Sequence, residues 1–118
     1  MSARLYPVSV AEQKTTILIV DDEENILSLM AETLRLVGFA TEKAARGADA
    51  VSKIRSEEID LVLLDINMPV MDGFEVLHRL KGSLATADIP VIILSSLDDP
   101  DSLGRGLACG AVDFIAKP

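Results

Sequence analysis

The chain has 118 residues, 49% of them apolar and 25% charged, with a formal net charge of −8. That length accommodates one domain around one core, and the negative balance argues against direct binding of nucleic acid, whose phosphates call for a cationic face. Aromatic residues make up 3% of the chain, which speaks against base stacking or a Trp-rich recognition surface.

In chain order, residues 1–14 (MSARLYPVSVAEQK) lack the apolar core of a signal peptide and read as a short N-terminal tail. The first short, β-branched apolar run, Ile17 to Val20, reads as a strand and ends on Asp21 and Asp22. EENILSLMAETLRLV follows as a helix, with Ile26, Leu29, Met30, Thr33, Leu34 and Val37 on one stripe and Gly38 where a left-handed C-cap belongs. FATEKAA, residues 39–45, is weakly apolar and suits an edge strand. GADAVSKIRS offers Ala50, Val51 and Ile54 as a second helical face.

A third strand is expected in the apolar run from Ile59 to Leu64, which Asp60 interrupts; it ends on Asp65, after which Asn67, Pro69 and Gly73 break the pattern. GFEVLHRLK reads as a helix burying Phe74, Leu77 and Leu80, followed by Gly82. Pro90 is tolerated at the start of the fourth strand, Val91 to Leu94, which ends on Ser95 and Ser96. DPDSLGRGLAC has Asp99 as an N-cap candidate and Pro100 at the first helical position, but Gly104 and Gly106 would each cost about 1 kcal/mol in a helix interior, so this helix is expected to be short or mobile. The single cysteine, Cys109, cannot make an internal disulfide and reads as a small buried core residue in a reducing cytoplasm. The last run, Ala111 to Ala116 interrupted by Asp113, is a fifth strand ending at Lys117. No apolar run approaches the roughly 20 residues needed to cross a bilayer, so no membrane is expected.

Near-continuous strands alternating with helices predict an α/β domain, its parallel sheet wound on both faces. In such a sheet the carboxyl ends of the strands share one edge, where ligands bind. Asp21, Asp22, Asp65, Ser95 and Lys117, separated by intervals such as 43, 30 and 22 residues, therefore converge. Crowded carboxylates repel unless a cation sits among them. All-oxygen ligands suit Mg²⁺ in company with a phosphate; Lys117 offers an ammonium and Ser95 a hydroxyl for phosphate oxygens. A carboxylate in that setting is a candidate covalent phosphate acceptor. Taken singly, each residue has a plainer reading: Asp21 or Asp22 as a helix cap, Lys117 as a surface lysine, His78 as a solvated helix residue, Phe114 as core.

From Thr15 to Pro118 the sequence resembles the receiver domain of bacterial two-component response regulators, on the stretches ILIVDDEENI, DLVLLDINMPVMDGFEVL, IPVIILSS and GAVDFIAKP in that order. The resemblance implies a flavodoxin-like fold, a doubly wound five-stranded parallel sheet in the order 2-1-3-4-5, covering residues 15–118 and lacking the usual final helix. It implies that Asp65 is the phosphoacceptor, taking its phosphoryl group from a sensor histidine kinase or a phosphotransfer protein. Asp22, Asp65 and the backbone carbonyl of Asn67 would hold Mg²⁺, with Asp21 acting mainly through water. Lys117 would hold a phosphoryl oxygen and be joined to Pro118 by a cis bond, and Ser95 and Phe114 would form the switch pair. Asn67 and Leu97 would flank the site where dephosphorylation is tuned. A C-terminal output domain in the natural protein, a homodimer formed on phosphorylation and a cytoplasmic setting belong to the same picture. The alternative is a small Mg²⁺-dependent aspartyl-phosphate phosphatase, which would want a carboxylate where Asn67 stands.

Overall fold

The computed structural model describes residues 14–68, 71–95 and 100–117, with the backbone alone at 100, 102 and 103, and among these described residues five short strands and four helices alternate. Strand β1 is Thr16–Val20, and its last four residues are almost completely buried, as a strand covered on both faces must be. Helix α1, Glu24–Leu36, leads to β2, Ala40–Ala44. Helix α2, Gly47–Ser56, leads to β3, Leu61–Asp65, and α3, Gly73–Lys81, to β4, Val91–Ser95. Helix α4, Pro100–Ala108, precedes β5, Asp113–Ala116, and no helix follows it among the described residues.

All pairings are parallel and the strand order is β2-β1-β3-β4-β5, as expected. Because β1 lies between β2 and β3, the direction of winding reverses there, which opens a crevice outside the carboxyl ends of β1 and β3. Alternation along the strands divides the core in two. Leu18, Val20, Val62, Leu64, Val91 and Ile93 face the buried side chains of α2 and α3, including Ala50, Val51, Ile54, Leu77 and Leu80. Ile17, Ile19, Leu63 and Leu94 face α1. Each fully buried Leu, Ile or Val contributes about 2 kcal/mol of transfer free energy, which holds the strand ends where the polar residues begin.

Helix α1 is where expected, but its buried face is turned from the expected stripe and keeps only part of it, Met30 and Leu34, against the core. Leu27 and Ala31 are buried, with Met30 and Leu34 partly so, whereas Leu29 and Val37 are 59% and 67% exposed. Met30 and Leu34 of the expected stripe are shared with a second helical stripe, 27/30/31/34, and it is this second stripe that meets Ile17, Ile19 and Leu63. At the C-terminus of α1 the bonds from Gly38 N to Arg35 O and from Phe39 N to Leu34 O, with Gly38 at φ +109, form the expected left-handed stop.

Helix α4 is short, nine residues, and Gly106 has a positive role there rather than only a cost. A Cβ at Gly106 would collide with the Ile93 side chain, so glycine lets the helix lie against β4. Arg105 also stacks over the Phe74 ring, 3.9 Å from its centroid, tying α4 to α3. Two expectations are corrected here. Cys109 is exposed, because it lies just beyond the last turn of α4 on its solvent side. Phe114 is 41% exposed rather than core, because β5 is an edge strand whose four residues are all open to solvent. His78 is exposed, as a solvated helix residue should be. Among the described residues, no helix is long and apolar enough to cross a membrane. The N-terminal tail to residue 13, Asp99 as a cap, Ser96, Leu97 and the cis form of the bond to Pro118 lie outside the described residues.

Candidate functional site

Strand β1 delivers Asp21 to the sheet edge one residue after Val20, and β3 delivers Asp65 as its own last residue. Both carboxylates are buried, at 0% and 1% exposure, while Asp22 beside them is exposed. One carboxylate oxygen from each of the three lies within 4.8 Å of the others. Neither Asp21 nor Asp22 caps α1: the N-cap residue is Glu23, with no side-chain cap bond, and Asp21 Oδ1 instead accepts from the Glu23 amide at 2.9 Å. The plainer reading as helix caps is therefore set aside for this pair.

Asp65 is fixed from two sides. Its Oδ1 accepts from the Asn67 amide at 3.0 Å, and its Oδ2 accepts from Lys117 Nζ at 3.3 Å. Behind it the chain turns back so closely that Gly73 N donates to Ile66 O at 3.3 Å. A Cβ at Gly73 would overlap the backbone of Ile66 and Asp65, so this position admits only glycine without a shift of the acidic strand end.

Lys117 arrives from the end of β5, where its amide donates to Ser95 O at 2.8 Å and so extends the β4–β5 pairing by one step. Its ammonium lies 3.2 Å from Asp21 Oδ2, 3.3 Å from Asp65 Oδ2 and 3.5 Å from Glu23 Oε1. Burial works to lower the Lys117 pKa, but its contact with Asp21 and the charges of Asp65 and Asp21 outweigh that and hold the ammonium above its ordinary value. Burial pushes the Asp65 carboxyl above the usual carboxylate value; the neighbouring Asp21 charge adds to the rise, and the Asn67 amide and Lys117 offset it only in part. One ammonium is thus too little positive charge for the carboxylates around it. Asp21 Oδ2 is buried and meets Lys117 Nζ at 3.2 Å as an ion pair, with no hydrogen-bond partner of good geometry among the described residues. An orphaned buried carboxylate oxygen, in an all-oxygen cluster with a raised Asp65 pKa, fits a divalent cation such as Mg²⁺.

Ser95 is 1% exposed at the end of β4 and pairs in register with Ala116. Residues two apart on a strand share a face, so Ser95 and Phe114 lie on the same side of the sheet. The expected site residues Asp21, Asp65, Asn67 and Lys117 are therefore in direct contact with one another or at one bond's remove, Asp22 joins them in the acidic cluster, and Ser95 is tied to Lys117 through the backbone. Sequence reasoning passed over Glu23. The signal was present as a third consecutive acid in DDE, but only the fold shows that its side chain reaches Lys117.

A family model described as "Response regulator receiver domain" matches residues 17–118. The chain is 37% identical over 115 residues to a gliding motility regulatory protein of Myxococcus xanthus, covering 98% of this chain and 15% of that protein. It is 38% identical over 102 residues to the transcriptional regulatory protein PrrA of Mycobacterium tuberculosis, covering 86% of this chain and 43% of that one. The chain thus spans less than half the length of these curated relatives. Among solved structures, the Vibrio cholerae chemotaxis protein CheY4 superposes with a TM-score of 0.84 at 31% identity, covering 90% of this chain and 88% of that one. The family's fold matches the strand order seen here, and a phosphatase is not favoured. With the match running from β1 through Lys117, the chain belongs to the response regulator receiver domain family.

Proposed function

We propose that Asp65 is the phosphoacceptor of this receiver domain, and that it takes its phosphoryl group from a phosphohistidine on a sensor histidine kinase or phosphotransfer protein. The observation that carries this reading is the contact of Lys117 Nζ with Asp65 Oδ2 beside the acidic cluster. An oxygen lone pair of Asp65 attacks phosphorus, the phosphorus–nitrogen bond breaks, and its electron pair returns to the imidazole, which takes a proton from solvent. Asp65 is held ready for this by the Asn67 amide, which fixes its orientation without occupying both oxygens.

Asp22, Asp65 and the Asn67 backbone carbonyl would hold Mg²⁺ directly, with Asp21 acting through water. When bound, the ion neutralises charge on the carboxylates and on the incoming phosphoryl oxygens. Lys117 keeps its ammonium in the site through its raised pKa and is the group that follows the new phosphoryl oxygens. The Ser95 hydroxyl then turns toward the phosphate, and the half-exposed Phe114 ring on the same face moves inward to fill the space. That motion biases the surface formed by α4 and β5 between two states. The module catalyses only its own phosphorylation and dephosphorylation. A cytoplasmic setting, an attached C-terminal output domain and pairing of phosphorylated chains complete the proposal; the larger size of the relatives supports the output domain.

Incubation with acetyl phosphate and Mg²⁺, followed by intact mass, tests this reading. One phosphate per chain supports a receiver, whereas continued release of inorganic phosphate from unrelated phosphate esters would favour a phosphatase.

A further inference from the structure

Lys117 is approached by carboxylates of two kinds. Asp21 and Asp65 reach it from the interior, both essentially inaccessible to solvent. Glu23 Oε1 reaches it at 3.5 Å from a side chain that is 61% exposed. It stands at the N-cap of α1, where its amide is bound by Asp21 Oδ1 and its backbone position is therefore fixed to the site. The transfer reaction described above has no use for this third carboxylate. Of the three carboxylates on the ammonium it alone is exposed, so it is the one that a phosphodonor arriving from solvent meets.

We infer that Glu23 is a positioning and specificity residue for phosphoryl transfer: it is the exposed carboxylate on the Lys117 ammonium and selects against highly anionic phosphodonors. The inference rests on the reading of Asp65 as phosphoacceptor. In the resting site the ammonium is shared among Asp21, Asp65 and Glu23, and an incoming phosphoryl oxygen displaces Glu23 because it is the exposed and least constrained partner. A donor whose leaving group carries positive charge, such as a phosphoimidazole, suffers less repulsion from Glu23 than a small dianionic acyl phosphate does. The discrimination is electrostatic, so it grows with donor charge and weakens with salt. Because an ion pair this exposed is weak, the effect is modest.

The test compares the 118-residue chain with its Glu23→Gln and Glu23→Asp variants, using dianionic acetyl phosphate and monoanionic phosphoramidate at saturating Mg²⁺. Glu23→Gln is expected to lower the half-saturating concentration of acetyl phosphate about threefold, as removal of one charge a few ångströms away in a wet site would. It should lower that of phosphoramidate distinctly less, and the gap between the donors should close at high salt. Glu23→Asp, which keeps the charge, should behave like the parent. Equal effects on both donors, no effect on either, or a Glu23→Asp variant that matches Glu23→Gln would each overturn the inference. Asp65→Asn is run alongside: labelling of that variant would overturn the assignment of Asp65 itself, whereas failure of the Glu23 series with Asp65→Asn still unlabelled removes only the role given to Glu23.

Discussion

Lys117 donates a 3.3 Å hydrogen bond to Asp65 Oδ2 across a separation of 52 residues. The contact exists because β3 and β5 flank β4 in one parallel sheet, and because the Lys117 amide continues the β4–β5 pairing onto Ser95 O. Removing the ammonium should leave Asp21 and Asp65 facing each other with no counter-charge in the cation-free chain. Lys117→Ala is expected to destabilise the fold by about 1–3 kcal/mol in chelator, to recover part of that loss on adding Mg²⁺, and to bind Mg²⁺ no more weakly than the parent. Thermal melts with and without Mg²⁺ measure both. A phosphorylated Lys117→Ala chain that still switches fully, by hydrogen exchange over α4 and β5, would remove Lys117 from the switch.

The raised pKa of Asp65 has a sign that can be checked. The folded chain holds this proton more tightly than the unfolded chain, so between the ordinary value of 3.8 and the raised folded value the Asp65 contribution to stability falls as pH rises. Above that window the cost of the buried charge is fully present. Asp65→Asn should therefore be more stable than the parent at neutral pH in chelator, by about 4 °C in Tm for each ~1 kcal/mol relieved. The difference should shrink on acidification through the window. Lys117 acts in the opposite range: its raised pKa supports the fold below its ordinary value of 10.5 and that support is lost as pH rises through the folded value. A Tm gap between Asp65→Asn and the parent that does not change with pH would contradict the electrostatic origin.

Gly73 gives a steric prediction. Its missing Cβ is what allows the turn after β3 to pass against the backbone of Asp65 and Ile66. Gly73→Ala should cost about 1–3 kcal/mol from overpacking and, by pushing on the Asp65 backbone, should slow phosphorylation more than it lowers Tm would suggest. Unaltered phosphorylation kinetics in a folded Gly73→Ala chain would show that the acidic strand end tolerates the shift.

The stack of Arg105 on Phe74 links α4 to the helix that begins at Gly73. Arg105→Ala should lose about 0.5–1 kcal/mol, and the loss should be local: faster amide exchange in α4 with β1 and β3 unchanged. Exchange in α4 that does not respond would mean the helix is held by its approach through Gly106 alone.

The fold was legible because short β-branched runs and helical periods alternate cleanly, and four strand ends carry polar groups; Ile17 to Val20 and Val91 to Leu94 fall inside β1 and β4. The orientation of α1 was legible only in part: Met30 and Leu34 face the core as expected, but Leu27 and Leu29 lie on either side of them and only the facing sheet residues select Leu27. Exposure of Phe114 and Cys109 was missed because local pattern does not say which strand becomes an edge or on which side a helix stops. In the candidate site, Asp21, Asp22, Asp65 and Lys117, singled out from sequence by residue type, are brought together by the fold. Glu23, an ordinary surface acid by type, becomes significant only when β5 brings Lys117 beside it.

The most direct test of the account locates the phosphoryl group chemically. After labelling with acetyl phosphate and Mg²⁺, reduction with borohydride converts an aspartyl phosphate to homoserine, which peptide mass spectrometry places in the sequence. Homoserine is expected at position 65 alone, with none in the Asp65→Asn chain. Homoserine at position 21 or 22, or label that survives the Asp65→Asn change, would contradict it.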